Sequence, residues 1–115
     1  MRMRKPPPLT SDSMSNPSSG HPVVLNEDKR RFEANVDGSL AVAEFIKTKD
    51  KLILTHTEVP PALSGKGIAS LLAKTALQYA RSSGLRVMPL CPFMAGYMAR
   101  HPEWESLLVP GINVA

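Results

Sequence analysis

The side-chain periodicity of this chain changes near Pro60, and that change limits the folds available to it. Before it, alternating and β-branched residues are typical of strands, which tight turns at Asp37-Gly38 and Lys49-Asp50 separate. After it, apolar residues recur at the three- and four-residue spacing of a helix. One block of strands followed by one long helix is not a series of repeated strand–helix units. The predicted strands are Arg30–Val36, Leu40–Lys47 and Lys51–Val59.

A helix is predicted over Gly67–Ser83, with Gly84 as its C-terminal cap. The short apolar segment Leu85–Leu90 is predicted to be a buried strand, parallel to the third strand because a helix connects the two. Pro89 cannot donate a hydrogen bond to a neighbouring strand. This strand therefore lies at the sheet edge or diverges from its neighbour near Pro89, and we favour divergence.

A second helix is predicted to begin at Pro92, with Cys91 at or beside its cap, and to end at His101-Pro102. One further turn is predicted around Trp104. The element order is then β-β-β-α-β-α. This order predicts an α+β (mixed α/β) domain in which helices pack on an antiparallel meander extended by one parallel strand.

The first 22 residues differ in composition from the rest of the chain. They hold five of the eleven prolines, many serines and few residues that can be buried. Such a segment cannot offset the entropy cost of ordering, so residues 1–22 are predicted to be a disordered tail. Residues 23–115 are predicted to form one domain. The tail is basic, Ser-rich and poor in acidic residues, a composition compatible with organelle targeting.

Charge, cysteine content and hydropathy exclude several classes of function. The net charge is +4, and no dense basic stripe interleaves with aromatic residues, which argues against a dedicated nucleic-acid reader. Mild positive charge still suits an anionic small ligand. The single cysteine, Cys91, excludes an internal disulfide and indicates an intracellular, reducing compartment, cytoplasm or nucleus. No apolar run approaches the roughly 18 residues that a membrane helix needs.

The segment from Val59 to Ala69 leaves a predicted strand and opens a predicted helix. Gly65 and Gly67 let the backbone approach a ligand closely, and free N–H groups at the start of a helix bind phosphate. The NTPase phosphate-loop pattern is absent, and a dinucleotide-binding fold needs more strand–helix–strand units than this chain has. On the loop alone, a plain tight turn into a helix remains an equal alternative.

The residues of this loop resemble the acyl-CoA-binding motif of the GNAT superfamily of N-acyltransferases, V-x-P-x-x-[QR]-G-x-G-x-[AG]. The strand–loop–helix context matches too, and residues 56–60 and 90–92 resemble a compact branch of that superfamily. The similarity spans about residues 24–108. Ser64 departs from the motif, where the family has Gln or Arg, and Lys66 is the residue that can replace the missing charge. The matching residues are Val59, Pro61, Gly65, Gly67 and Ala69.

The resemblance implies a minimal GNAT fold in which the strands ending at Val59 and Leu90 splay apart around the pantetheine arm of acyl-CoA. It implies acetyl-CoA or coenzyme A as the ligand and transfer of an acetyl group to a primary amine by direct attack. It also implies that a backbone N–H near Val59 polarises the thioester carbonyl. No metal site is expected. The residues expected to bind the ligand are Val59, Ser64, Gly65, Lys66, Gly67, Ile68 and Ala69.

Two polar residues near the end of the third strand are candidates for proton transfer. Counting by twos places Leu52, Leu54, His56 and Glu58 on one half-buried face. Burial there would raise the pKa of the Glu58 carboxyl, making it a base for the acceptor amine, directly or through water, and His56 could help as a base or as an orienting residue. The alternatives are an exposed glutamate at a strand end and a packing histidine.

Cys91 and Tyr97 are the candidates on the other side of the expected cleft. A helix N-terminus lowers the pKa of a thiol, and the resemblance puts Cys91 near the thioester. Three roles stay open for it: a transient acyl acceptor, a proton donor to the departing CoA thiolate, or a small packed residue. Tyr97 lies on the helix where many GNAT enzymes carry a tyrosine general acid, and the alternative is a core or rim tyrosine.

Three functions follow for consideration. The first is an acetyl-CoA-dependent N-acetyltransferase acting on a protein lysine, an N-terminus or a small amine. The second is a catalytically weak module that binds CoA or acyl-CoA, since little chain follows Tyr97 to wall the substrate side. The third, a nucleic-acid-associated factor, rests only on the basic charge. A monomer, or a weak homodimer paired through the Leu85–Leu90 edge, is expected.

Overall fold

A computed structural model describes residues 23–112 of the chain. The predicted disordered tail and its targeting composition fall on residues 1–22 and so lie outside the described residues. Within 23–112, four strands precede a long helix, a fifth strand and a shorter helix. These elements are β1 (Val24–Asn26), β2 (Arg31–Val36), β3 (Ser39–Lys47), β4 (Lys51–Glu58), α1 (Ile68–Ser83), β5 (Arg86–Pro89) and α2 (Pro92–Arg100).

The five strands form one sheet in chain order, with β1 at one edge and β5 at the other. Neighbours from β1 to β4 are antiparallel, and β5 pairs parallel to β4. The mixed α/β class, the meander and the parallel strand are therefore confirmed. The predicted element order is wrong in one respect, because β1 adds a strand before the first predicted one. Three residues are too few to show an alternating pattern in the sequence.

Local signals in the sequence place the turns and the helix ends correctly. Asp37 and Gly38 both have positive φ, 52° and 86°, as a two-residue hairpin turn requires. Gly84 caps α1 in the left-handed conformation, and its N–H donates to the carbonyls of Ala80 and Arg81. The helix α1 begins one residue later than predicted because Gly67 is its N-cap.

The two helices pack against a single hydrophobic core that also contains the buried side chains of the sheet. On the opposite face of the sheet, Leu40 and Ile46 near the two ends of β3 are exposed, whereas Val42 between them is buried. None of the described helices combines the length and apolar character needed to cross a membrane. The largest fully buried side chains are Phe32, Leu52, Leu54, Ile68, Leu72, Leu77, Val87, Met94 and Met98.

The outer edge of β5 has a partner within the chain. Val87 forms a parallel bridge with Leu108, and the Val109 N–H donates to the Val87 carbonyl at 3.0 Å. Leu108 follows a 3-10 segment, Pro102–Leu107, which contains the buried Trp104 predicted for an extra turn. Because a second copy would meet this edge already occupied at Val87, the edge pairing expected for a homodimer is not available there.

The two faces of β4 predict different costs of truncation. Leu54 is 1% exposed within the core, whereas Ile53 is half-buried on the opposite face. We expect Leu54→Ala to lower the free energy of unfolding by about 2–5 kcal/mol, and Ile53→Ala to lower it clearly less. Urea unfolding followed by circular dichroism measures both. Equal losses would contradict the one-sided core.

Candidate functional site

The loop between β4 and α1 is anchored at its base and exposed at its tip. Its first part is a 3-10 turn, Pro61–Leu63, which Pro61 suits because proline has a helical φ and no N–H to leave unpaired. Leu63 is 3% exposed and packs into the core. Residues 64–67 that follow are all exposed, so the glycine-containing part of the loop lies open to a ligand.

Gly65 and Gly67 adopt backbone conformations that favour glycine. Their φ angles are 80° and 75°, in the left-handed region. Chain neighbours aside, no atom lies within 4 Å of the point where a Cβ would stand on either residue. The glycines are therefore needed for the turn itself, and the space beside them is open to a ligand that approaches the backbone.

The loop and the first turn of α1 expose a row of N–H groups without backbone acceptors. The first intrahelical bond of α1 runs from the Leu71 N–H to the Gly67 carbonyl, at 3.0 Å. No acidic residue lies in the first turn to occupy the donors. Free donors at the positive end of a 16-residue helix are a binding site for anions. Within residues 23–112, no backbone carbonyl accepts from Gly65, Gly67, Ile68, Ala69 or Ser70.

A cavity of about 210 Å³ lies against this row of donors. Six of the seven residues predicted to bind the ligand line it, and only Lys66 does not. Leu63 and Ser70 also line it and were missed by sequence reasoning. Ser70 stands three residues after Gly67, in the first turn of the predicted helix, where backbone N–H groups have no partner within the helix. The lining residues are Val59, Leu63, Ser64, Gly65, Gly67, Ile68, Ala69 and Ser70.

The strands β4 and β5 separate beyond Leu54, as predicted from Pro89. Their parallel pairing ends at Leu54 and Pro89, whereas β4 continues to Glu58. The N–H groups of Leu90 and Cys91 both donate to the Leu54 carbonyl, each at 3.0 Å. The strand β5 is thus an edge strand that also diverges, and no strand of the described residues pairs with that side of β4 from residue 55 onward.

A bulge in β4 overturns the predicted arrangement of its side chains. Glu44 lies opposite His56 but Phe45 lies opposite Leu54, so Thr55 is an extra residue. Its hydroxyl donates to the Glu44 carbonyl at 3.3 Å. Because one extra residue reverses the alternation of faces, Leu52 and Leu54 face the core while His56 and Glu58 face the other way.

The expected half-burial of Glu58 is therefore wrong. The side chains of His56 and Glu58 are 55% and 71% exposed, and the His56 Nε2 lies 3.6 Å from the Glu58 Oε1. The burial that was expected to favour a basic carboxyl is absent from this site. What the structure brings together is a solvent-facing carboxylate and imidazole at the end of β4, one residue before Val59, whose N–H has no backbone acceptor among residues 23–112.

Cys91 lies where its position was predicted, at the N-cap of α2. It is 5% exposed, and its Sγ lies 3.4 Å from the Thr57 Oγ1. Burial opposes ionisation of the thiol, but hydrogen bonds from Thr57 and from the backbone N–H groups of Met94 and Phe93 outweigh it. Together they lower the pKa of Cys91 below its ordinary value. Thr57 was not among the predicted site residues.

Tyr97 lies in the core on α2, with 6% of its surface exposed. Its ring stacks on His101 at a centroid distance of 4.1 Å and packs near Phe93 at 6.3 Å. Burial, reinforced by the Glu103 carboxylate, raises the pKa of the Tyr97 hydroxyl. The group therefore stays protonated at neutral pH and is suited to donate a proton rather than to accept one.

No ligands for a metal ion assemble in the described part of the chain, where no three His, Cys, Asp or Glu side chains are suitably grouped. The ionisable side chains near the loop are instead Lys66, His56, Glu58 and Cys91. They lie at the end of β4, in the loop that follows it and at the start of α2.

Comparison with known proteins assigns the chain to a family. Protein NATD1 of Xenopus tropicalis is 34% identical over 97 residues, which cover 79% of this chain and 85% of that protein. Protein NATD1 of Bos taurus is 33% identical over 92 residues, 75% of this chain and 80% of that protein. The human protein of that name is 33% identical over 89 residues, 72% and 78% respectively. The family model described as GCN5-related N-acetyl-transferase matches residues 31–107, and the chain belongs to that family.

Proposed function

We propose that this protein is an N-acetyltransferase that binds acetyl-CoA at the glycine loop and transfers the acetyl group to a primary amine. The observation that carries the proposal is a row of N–H groups beside an open cavity that lack backbone acceptors within residues 23–112, those of Gly65, Gly67, Ile68, Ala69 and Ser70. Such a row fits the pyrophosphate of CoA, because its N–H groups can donate to the phosphate oxygens and the positive end of the α1 dipole attracts their negative charge. Membership of the GCN5-related N-acetyl-transferase family supports acetyl-CoA as the ligand of this row.

In this proposal the loop holds the pyrophosphate mainly through its backbone. Ser64 stands where the family motif has Gln or Arg, so no guanidinium is available there for paired bonds to phosphate. Lys66 is exposed and outside the lining of the cavity. Its flexible ammonium supplies positive charge from the rim, which steers and stabilises an anion without fixing its orientation.

The gap between the diverging strands β4 and β5 is our proposed binding site for the pantetheine arm. Among residues 23–112, β4 has no strand partner on the side of β5 beyond Leu54, so this edge can pair with the amides of an extended ligand. Acetyl-CoA supplies an activated thioester. The free Val59 N–H, at the end of this edge, is our candidate for polarising the thioester carbonyl.

Proton transfer to and from the reacting groups falls to side chains on two elements. Glu58 is our candidate base, acting on the acceptor amine directly or through water, with His56 as the neighbour that shares its charge. Cys91 and Tyr97 on α2 are the candidate donors to the departing thiolate. The open position of Glu58 leaves room for a large amine, including a lysine of a protein.

Gly67→Asp tests the ligand-binding loop, with Gly84→Asp as its matched control. Both glycines have positive φ and open space, at opposite ends of α1, so both variants carry the same strain of about 1–2 kcal/mol and the same added charge. We expect saturating acetyl-CoA, at about 100 times Kd, to add about 2.7 kcal/mol to wild type. The resulting increase in Tm, about 10 °C or more, should persist in Gly84→Asp and vanish in Gly67→Asp. Equal increases in both variants would contradict the loop assignment.

Glu58→Gln tests the proposed base. The change removes the proton acceptor and keeps the size of the side chain, so we expect kcat to fall about 10²-fold at neutral pH while the Kd for acetyl-CoA stays unchanged. Release of free CoA thiol in the presence of lysine peptides, polyamines and small amines measures the rate. Glu44→Gln, a change on the neighbouring strand opposite His56, is the control and should leave kcat unaltered. A wild-type rate in Glu58→Gln would remove Glu58 from the mechanism.

A second candidate function is a CoA-binding module with little catalysis. It is favoured by the exposure of Glu58 and the packed position of Tyr97, which leave the candidate base and one candidate acid without a shared enclosed site. The same two assays separate the candidates. Binding of acetyl-CoA without release of CoA thiol for any amine would select the module, whereas amine-dependent release selects the transferase.

A further inference from the structure

The bulge at Thr55 has a second effect, which is to turn Thr57 inward. Thr57 pairs with Ala43, which is 0% exposed and faces the core on the same side as Phe45. Without the extra residue, the alternation of the strand would place Thr57 on the solvent face and the Glu58 side chain inside. A polar residue is thus brought to the core side of β4, next to the point where β5 leaves the sheet.

Two different elements converge on one hydrogen bond at this point. The strand β4 contributes the Thr57 hydroxyl, and the start of α2 contributes the Cys91 thiol 3.4 Å away. The main chain of Cys91 is fixed independently, because its N–H donates to the Leu54 carbonyl and its carbonyl accepts from the Ala95 N–H, both at 3.0 Å. Because the Cys91 backbone is held at both its N–H and its carbonyl, the hydrogen bond with the Thr57 hydroxyl acts on the side chain and orients the sulfur.

The surroundings of the sulfur suit a thiol that gives up its proton. The Phe93 and Met94 N–H groups belong to the first turn of α2 and help to lower the pKa of the thiol, and the Thr57 hydroxyl, which accepts from the thiol, can donate to a thiolate instead. The residues 23–112 place no carboxylate in an ion pair or hydrogen bond with Cys91. The pKa of the Cys91 thiol therefore lies below the ordinary value for cysteine, which favours release of its proton.

We propose that Thr57 is a positioning residue for Cys91, and that its hydroxyl holds the sulfur where the S–H can protonate the departing CoA thiolate. This proposal rests on the proposed transferase function. It assigns one of the three roles considered for Cys91, the proton donor, and adds a residue that no pattern in the sequence indicated.

The proposed step balances in protons and electrons. When the amine has attacked, the bond between the acyl carbon and the CoA sulfur breaks and its electron pair stays on sulfur. The Cys91 S–H bond breaks, an S–H bond forms on CoA, and Cys91 is left as a thiolate that accepts hydrogen bonds from Thr57 and the N–H groups of α2. The proton that the amine nitrogen loses to the base returns to Cys91 through solvent, so no other reactant is needed.

The test compares Thr57→Val, which keeps the shape and removes the hydroxyl, with Thr57→Ser, which keeps the hydroxyl. Cys91 is the chain's single cysteine, so the ultraviolet absorbance of the thiolate against pH, after subtraction of the tyrosine ionisation measured in Cys91→Ala, reports its titration. We expect Thr57→Val to raise the pKa of the thiol and to lower kcat about tenfold or more, with an unchanged Kd for acetyl-CoA. Thr57→Ser should restore both the titration and the rate.

The Cys91→Ala background separates positioning from packing. If Thr57 acts through the thiol, Cys91→Ala lowers kcat and adding Thr57→Val lowers it no further. A thiol titration in Thr57→Val that coincides with wild type, or an equal loss of rate in both backgrounds, would overturn the proposal for Thr57. Absence of any amine-dependent CoA release by the wild-type chain would contradict the transferase function and the donor role with it, whatever the titration shows.

Discussion

The carbonyl of Leu54 accepts hydrogen bonds from two consecutive N–H groups, those of Leu90 and Cys91, and the geometry of the site depends on this junction. The bond from Leu90 extends the contact between β5 and β4 by one residue, and the bond from Cys91 holds the chain where it turns into α2. Because Pro89 has no N–H to donate, the parallel ladder between β5 and β4 does not extend past these two bonds. The strands therefore separate at Pro89 without leaving an unpaired N–H there, and a cleft opens. The chain then enters α2, with Cys91 as its N-cap.

The residue after Leu54 is the bulged Thr55, so the parallel pairing on one side of β4 and the regular pairing on the other are interrupted together. From Thr55 to Val59, no described strand pairs with the β5 side of the chain, so that side is open to a ligand. The bulge also reverses which side chains of this segment face the core. The start of α2 contacts this segment at Thr57, and the loop leading to α1 begins where it ends. The N-termini of α1 and α2, each of which favours negative charge, therefore both lie beside residues 55–59.

Much of this architecture was predictable because its determinants are local. The Asp37-Gly38 turn, the Gly84 cap and the helical start at Pro92 each follow from the conformational limits of one or two residues. The glycine loop was predictable for the same reason, since Gly65 and Gly67 mark positive φ at a strand–helix junction. Even the separation of β5 from β4 was visible in one missing donor, at Pro89.

The faces of His56, Thr57 and Glu58 were not predictable, because a bulge is a relation between two strands. Whether Thr55 is an extra residue depends on which residues of β3 lie opposite it, and nothing in the local pattern Thr-His-Thr-Glu records that choice. Counting by twos therefore put Glu58 inside and left Thr57 unnoticed. The pairing of Thr57 with Cys91 joins positions 34 residues apart and needs the folded sheet to appear.

The central claim is that backbone N–H groups of the glycine loop bind the pyrophosphate of CoA. Two-dimensional ¹H–¹⁵N NMR of the labelled chain titrated with free CoA, which lacks the acyl group, tests it residue by residue. The account predicts large downfield amide shifts at Gly65, Gly67, Ile68 and Ala69, because these donors gain anionic acceptors, and little change at the matched turn around Gly84. Unmoved amides at the loop in the presence of saturating CoA, or larger shifts elsewhere than at the loop, would contradict the account.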